Sequence, residues 1–138
     1  YNASSTPIRV TKGPEPCDRY PQYTNECYIY KSWGWIAAWG GWEPAMRACD
    51  TFGENRLLCI KNVARSAATR EILASNAEFS NLCRGFVGDE RTACVAGAIL
   101  KIIYSNDGND SDSQCDAVAS LYRPACLKVL HAYLASNI

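Results

Sequence analysis

Cysteine is the residue type with the widest chemical repertoire in this sequence, because a thiol can ligate a metal, act as a nucleophile or form a disulfide. Eight cysteines occur in 138 residues, and they form four couples with C-x9-C or C-x10-C spacing. The couples are Cys17 with Cys27, Cys49 with Cys59, Cys83 with Cys94, and Cys115 with Cys126. No C-x2-C or C-x2-H spacing is present, so zinc and iron–sulfur ligation are not favoured. An even count at this density predicts four disulfides and an oxidising compartment.

A breaker residue stands between the two cysteines of every couple. These residues are Pro21, Gly53, Gly88 and Pro124. Proline suits the first turn of a helix and glycine suits a turn, so we expect each couple to bracket the turn between two helices. A disulfide within each couple would then join two antiparallel helices at their shared end. Each bond closes a loop of about ten residues and contributes on the order of 2–3 kcal/mol.

Other catalytic and metal-binding chemistry has little support in the sequence. His131 is the single histidine, and its helical register with Leu127 and Leu134 predicts a partly buried structural residue. No phosphate-binding loop, nucleophile elbow or zinc-protease motif occurs. Residues 106–114 carry oxygen ligands at alternate positions but lack the glycine at position six and the closing glutamate of a calcium loop, so we expect a solvated loop in which Asp112 or Ser113 caps the next helix. We predict no enzyme, metal or cofactor; paired carboxylates among the fourteen acidic residues are the alternative.

The elements that position the cysteines recur along the chain. The first cysteines of successive couples are separated by 32, 34 and 32 residues, which is the length of a helix–turn–helix repeat. Residues 54–70, 91–104 and 124–138 carry apolar side chains at helical spacing. The fold class predicted is all-α: a short right-handed stack of about four disulfide-stapled antiparallel helical hairpins. A compact helical bundle is the alternative.

The cysteine spacing resembles that of the twin C-x9-C proteins of the mitochondrial intermembrane space. In those proteins each C-x9-C lies within one continuous helix, and two helices are cross-bridged. The breakers inside the present couples argue against that topology. We expect one disulfide-rich domain over residues 17–138, preceded by an extended arm, residues 1–16, which Ile8 and Val10 would anchor.

Composition excludes several classes of protein. Fourteen basic residues balance fourteen acidic ones, so no net charge attracts nucleic acid or an anionic membrane. The hydrophobic content of 48% argues against disorder, and no apolar stretch is long enough to span a bilayer. The first residue is tyrosine, as expected of a mature secreted protein after signal removal. Asn2 and Asn109 begin glycosylation sequons.

Two surfaces are candidates for binding. The first is an aromatic patch in which Trp35, Trp39 and Trp42 share a helix face if the helix continues through the intervening glycines. Its predicted members are Tyr28, Tyr30, Trp33, Trp35, Trp39 and Trp42. The second combines a basic stretch with an acidic one, which would meet head to tail between copies of the chain. Its members are Arg56, Lys61, Arg65, Arg70, Asp107, Asp110, Asp112 and Asp116.

These observations favour a secreted, non-catalytic binding or structural protein whose partner is a protein, including copies of itself. The strongest form of this hypothesis is a self-assembling subunit of an extracellular filament or complex. The alternatives are a secreted carrier of a small apolar ligand or lipid, and a toxin or effector that acts by protein binding.

Overall fold

The structure, a computed structural model, describes residues 17–19, 21–105 and 111–136. This part of the chain folds into α-helices and short 3₁₀ segments and contains no strand, which confirms the all-α prediction. The α-helices are α1 (Thr24–Trp39), α2 (Trp42–Ala48), α3 (Arg56–Ala67), α4 (Arg70–Ala74), α5 (Asn76–Leu82), α6 (Gly88–Ser105) and α7 (Arg123–Ser136). The 3₁₀ segments are Cys17–Arg19, Pro21–Tyr23, Cys49–Asn55, Asp112–Ala117 and Ser120–Tyr122. Among these residues no helix is both long and apolar enough to cross a membrane.

The four disulfides lie within the couples, as the breakers indicated. The bonds are Cys17–Cys27, Cys49–Cys59, Cys83–Cys94 and Cys115–Cys126, with Cα–Cα distances of 5.5–5.8 Å. The second cysteine of each couple lies in the first two turns of a long helix. Each bond therefore fixes the beginning of α1, α3, α6 or α7 to the segment that leads into it.

The segments before these helices differ more than the even spacing suggests. Cys49 and Cys83 directly follow the α-helices α2 and α5. Cys17 and Cys115 lie in the 3₁₀ segments Cys17–Arg19 and Asp112–Ala117, and Cys49 begins the 3₁₀ segment Cys49–Asn55. Within the described residues, the couples Cys49–Cys59 and Cys83–Cys94 thus connect one α-helix to another.

The long helices lie side by side. Asn62 Nδ2 of α3 donates to Asn25 Oδ1 of α1, and Ser32 Oγ of α1 is hydrogen-bonded to Ser66 Oγ of α3. These two contacts advance in the same direction along both helices, so α1 and α3 run parallel. On the other side of α3, Arg56 forms an ion pair with Glu90 near the beginning of α6. Farther along both helices, the Lys61 backbone lies against Gly97, so α3 and α6 also run parallel. α7 packs on α6.

The hydrophobic core contains two aromatic groups. Tyr28 and Trp35 of α1 meet Phe52 edge to face, with ring centroids 4.9–5.7 Å apart. Phe79 of α5 stacks on Tyr122 with ring centroids 4.0 Å apart. Edge-to-face and stacked pairs contribute about 0.5–1.5 kcal/mol beyond their buried area. The aromatic groups therefore fix the connecting segments against the long helices.

Two helix predictions need comment. The stretch 91–104 was expected to form a central buried helix, and α6 confirms this, with Ala98, Ile99 and Ile102 buried. The stretch 54–70 was expected to be one helix, which is wrong at its end. α3 stops at Ala67, and the Thr69 hydroxyl caps α4 by accepting a hydrogen bond from the Ile72 backbone N–H. A capping threonine stabilises a new helix start in preference to continuation.

Candidate functional site

An exposed aromatic surface lies on the outer side of α1. Its members are Tyr23, which directly precedes the helix, Tyr30 and Trp33, whose exposed fractions are 59%, 84% and 63%. With 3.6 residues per turn, Tyr30 and Trp33 point about 60° apart on α1, and Tyr23 lies in the 3₁₀ segment that leads into the helix. An aromatic side chain offers roughly 150–250 Å², so the three expose about 300–500 Å² together. We call these three residues the α1 aromatic surface.

The opposite side of α1 anchors this surface. Tyr28, Ser32 and Trp35 are buried there, and the Cys17–Cys27 disulfide holds the first turn of the helix. Lys101 of α6 places its Nζ atom 5.7 Å from the centroid of the Trp33 ring, a cation–π contact. The α1 aromatic surface is therefore presented by a helix that is packed on one side and covalently held at its start.

The predicted aromatic patch is corrected by these positions. Tyr28 and Trp35 are core residues, because each makes edge-to-face contacts with Phe52. The condition under which Trp35, Trp39 and Trp42 would share one helix face is not met, because α1 does not continue to Trp42. α1 ends at Gly40, whose φ of 83° is left-handed and strains other residues.

The remaining members of the predicted patch divide between core and surface. Trp42 begins the separate helix α2, and both Trp39 and Trp42 are half-buried against the core. Tyr30 and Trp33 remain exposed, while the predicted set omitted Tyr23. Its spacing of seven residues from Tyr30 is the signal that could have found it.

Some of the charged residues that were predicted to join two copies have partners within their own chain. Arg56 is paired with Glu90, and Asp112 Oδ1 lies 2.8 Å from His131 Nε2. Lys61 and Arg65 are half-buried on α3, while Arg70 and Asp116 are exposed. Asp107 and Asp110 lie outside the described residues. Among the described members, Arg56 thus has an ion-pair partner and Asp112 a hydrogen-bond partner within the same chain.

His131 differs from its predicted environment. It was expected to be partly buried, but its side chain is 58% exposed and faces Asp112. The reason is its register, since the neighbouring Leu130 is fully buried while Leu127 and Leu134 are only half-buried. An exposed contact of this kind contributes about 0–1 kcal/mol.

The other sequence predictions give no site in the described part of the chain. Within residues 17–19, 21–105 and 111–136, no cluster of three or more His, Cys, Asp or Glu side chains could hold a metal ion. The cap of the segment Asp112–Ala117 is Ser111, whose hydroxyl accepts a hydrogen bond from the Ser113 N–H, and not Asp112 or Ser113. The arm 1–16, including Asn2, lies outside the described residues, as does Asn109.

A groove between α6 and α7 was not predicted. It has a volume of about 640 Å³ and is lined by α6 at positions 88, 91, 92, 95 and 96 and by α7 at positions 125, 128, 129 and 132. On each helix these positions are spaced by three, four and seven residues, so they form one face. We call this space the α6–α7 groove.

Comparison of the chain with known protein families, with curated proteins and with solved structures finds no match.

Proposed function

We propose that this chain is a secreted, non-catalytic binding protein that associates with a protein partner through the α1 aromatic surface. The observation that carries the proposal is the exposure of Tyr30 and Trp33 on α1 and of Tyr23 directly before it. Aromatic side chains of this kind dominate the binding energy of many protein interfaces. The four disulfides support the assignment to an oxidising, extracellular compartment.

The rigidity of α1 favours a role in binding. Association costs less entropy when the recognition residues are already held in place. The buried face of α1 and the Cys17–Cys27 bond hold the helix, and Lys101 contacts the Trp33 ring. A tyrosine or tryptophan also has only two side-chain torsions to immobilise, so little further ordering is required.

A second copy of the chain is the partner that we propose, as in a subunit of an extracellular assembly. A two-fold contact would place Tyr30 and Trp33 of one copy against the same residues of the other. A stable interface buries about 800 Å² on each partner, whereas the α1 aromatic surface supplies about 300–500 Å². We therefore expect the α1 aromatic surface to form the centre of a larger contact that includes the neighbouring Glu26 and Ala37.

We also propose that the fold is a stack of four hairpin repeats. Support comes from the contacts between the long helices, where residue pairs such as Asn25 with Asn62, Ser32 with Ser66 and Arg56 with Glu90 are separated by 37, 34 and 34 residues. These separations are close to the cysteine period of 32 and 34. An experimental structure in which the four units do not superpose would support the compact bundle instead.

The test of the binding proposal is sedimentation equilibrium of the oxidised protein over a hundredfold range of concentration. We expect the average mass of the wild type to rise with concentration, while the Tyr30→Ser, Trp33→Ser double variant remains a monomer. The matched control is Val87→Ser with Leu121→Ser, which removes two exposed apolar side chains outside α1 and should associate like the wild type.

Two results would overturn the proposal. A wild type that stays monomeric at every concentration would exclude a second copy as the partner. Association of the double variant that equals that of the wild type would exclude the α1 aromatic surface. Circular dichroism of all three proteins ensures that a loss of association is not a loss of helix.

A further inference from the structure

The α6–α7 groove has an apolar floor. Val95 and Ala96 of α6 face Ala125 and Val129 of α7 across it. Small side chains on both helices keep the space between them open. A second space of about 340 Å³, lined in part by Leu100 and Tyr133, shares Ala96, Val129 and Ala132 with the α6–α7 groove. The two spaces therefore lie next to each other along α6 and α7.

The charged residues of the α6–α7 groove are all basic. Arg91 and Lys128 line it, and none of the ten described lining residues is acidic. Glu90, the acid next to Arg91 in the chain, is instead paired with Arg56 of α3. Lys61 adds a third basic side chain at the second space. The basic side chains of the two spaces would therefore attract an anionic group. No acidic side chain among the described lining residues would compete with that group.

Arg91 is held in position by a neutral network. Its Nη2 atom donates to the Tyr122 hydroxyl at 3.2 Å, and that hydroxyl is hydrogen-bonded to Ser80 at 2.5 Å. The Tyr122 ring is itself fixed by stacking on Phe79. Because a guanidinium carries five N–H donors, this contact leaves donors that can bind a carboxylate in the α6–α7 groove.

We propose that the α6–α7 groove binds a single-chain anionic amphiphile, such as a fatty-acid carboxylate. The carboxylate binds at Arg91 and Lys128, and the hydrocarbon chain lies along Val95, Ala96 and Val129. The rise of 1.5 Å per residue gives about 14 Å from Arg91 to Leu100, a length that suits an extended chain of medium length. This site is separate from the α1 aromatic surface, so it does not depend on the function proposed above.

The test uses two probes with the same tail and opposite head groups, dodecanoate and dodecyltrimethylammonium. Both are titrated below their micelle concentrations into the oxidised protein by isothermal calorimetry. We expect saturable one-to-one binding of dodecanoate and at least tenfold weaker binding of the cationic probe. Higher salt should weaken dodecanoate binding, because salt screens the attraction between the carboxylate and the basic side chains.

Two variants locate the site. Lys128→Met keeps an apolar stem but removes the charge, and we expect at least fivefold weaker dodecanoate binding. Its matched control is Arg70→Met, which removes one positive charge from an exposed position on α4 and should bind like the wild type. Ala132→Phe inserts a ring at the exposed junction of the two spaces and should abolish binding while circular dichroism stays unchanged.

Three outcomes would overturn this proposal. Equal affinity for the two head groups would remove the role of Arg91 and Lys128, and unchanged binding in both groove variants would place the ligand elsewhere. Binding of an acidic amphipathic peptide without any binding of dodecanoate would assign the groove to a protein segment. The Tyr30→Ser, Trp33→Ser variant must retain dodecanoate binding, so failure of one proposal is distinguishable from failure of the other.

Discussion

At Gly97, the α6 helix lies directly against the backbone of α3. A Cβ atom at this position would overlap the carbonyl oxygen, carbonyl carbon and Cα atom of Lys61. The obstacle is backbone and not a flexible side chain, so it cannot move away without shifting a helix. A residue without a side chain thus sets how closely the two central helices approach each other.

We predict that Gly97→Ala destabilises the protein. In the middle of a helix that had room, this substitution would stabilise by about 1 kcal/mol through helix propensity. Here the overlap with Lys61 should reverse the sign and cost about 1–3 kcal/mol, the usual range for overpacking. The free energy of unfolding by guanidinium of the oxidised protein measures the effect.

The control for Gly97 is Ala37→Gly on the exposed side of α1. It should cost about 1 kcal/mol, since it changes propensity alone. A Gly97→Ala protein that is more stable than the wild type would contradict the close approach of α3 and α6.

The burial of the individual tryptophans could not be predicted from residue type and spacing alone. Spacing placed Trp35, Trp39 and Trp42 on one face, provided that the glycines were tolerated. The helix continues through Gly34 but stops at Gly40, although the residue type is the same. Which side of α1 faces the core depends on where Tyr28 and Trp35 meet Phe52, and Phe52 comes from a segment that the helical pattern of α1 does not include. Burial of Trp35 and exposure of Trp33 follow from this packing.

Among the elements, the disulfide couples were the most predictable feature. A breaker between two cysteines marks a turn, so the pairing within each couple could be inferred. Helical spacing predicted the stretches 54–70, 91–104 and 124–138, which correspond to α3, α6 and α7. The α6–α7 groove could not, because it depends on how far apart two helix faces lie. The division of the stretch 54–70 into α3 and the beginning of α4 at Thr69 could have been predicted in part, since threonine is a strong helix cap.

We predict that two disulfides of nearly equal loop length stabilise different amounts of structure. Cys49–Cys59 closes a separation of 10 residues and Cys115–Cys126 one of 11, so each contributes about 2–3 kcal/mol by loop entropy. Replacing the Cys115–Cys126 pair by alanine should increase hydrogen exchange mainly in α7, whose main contacts with another long helix are with α6. Replacing the Cys49–Cys59 pair should increase exchange throughout, because α3 packs on both α1 and α6.

Native-state hydrogen exchange of the two double-alanine variants measures this difference. Equal exchange patterns would contradict it, since they would mean that α7 and α3 unfold only together with the whole molecule.

For the whole molecule, the effect of salt on self-association distinguishes a contact between charged residues from a contact between aromatic residues. A head-to-tail contact between the basic and acidic sets remains a prediction, but Arg56 and Asp112 already have partners in their own chain. Contacts between exposed charges weaken as salt shortens the Debye length. Burial of aromatic surface has no such dependence.

We expect the solution mass to stay the same when the ionic strength is raised tenfold. Light scattering of the oxidised protein at fixed concentration measures this mass, and the Tyr30→Ser, Trp33→Ser variant serves as the monomeric reference. A mass that falls towards that of a monomer at high salt would show that the charged sets, and not the α1 aromatic surface, hold the copies together.

The short separation within every disulfide has a consequence for how the chain is made. Along the chain, each second cysteine follows its partner after 10 or 11 residues, whereas the next cysteine follows after another 21–24. Ribosomes add about 5–20 residues per second, so a correct partner always emerges first. Closing the shorter loop is also entropically easier. Oxidation can therefore follow the order of synthesis, because the native partner of each first cysteine is available before any later thiol.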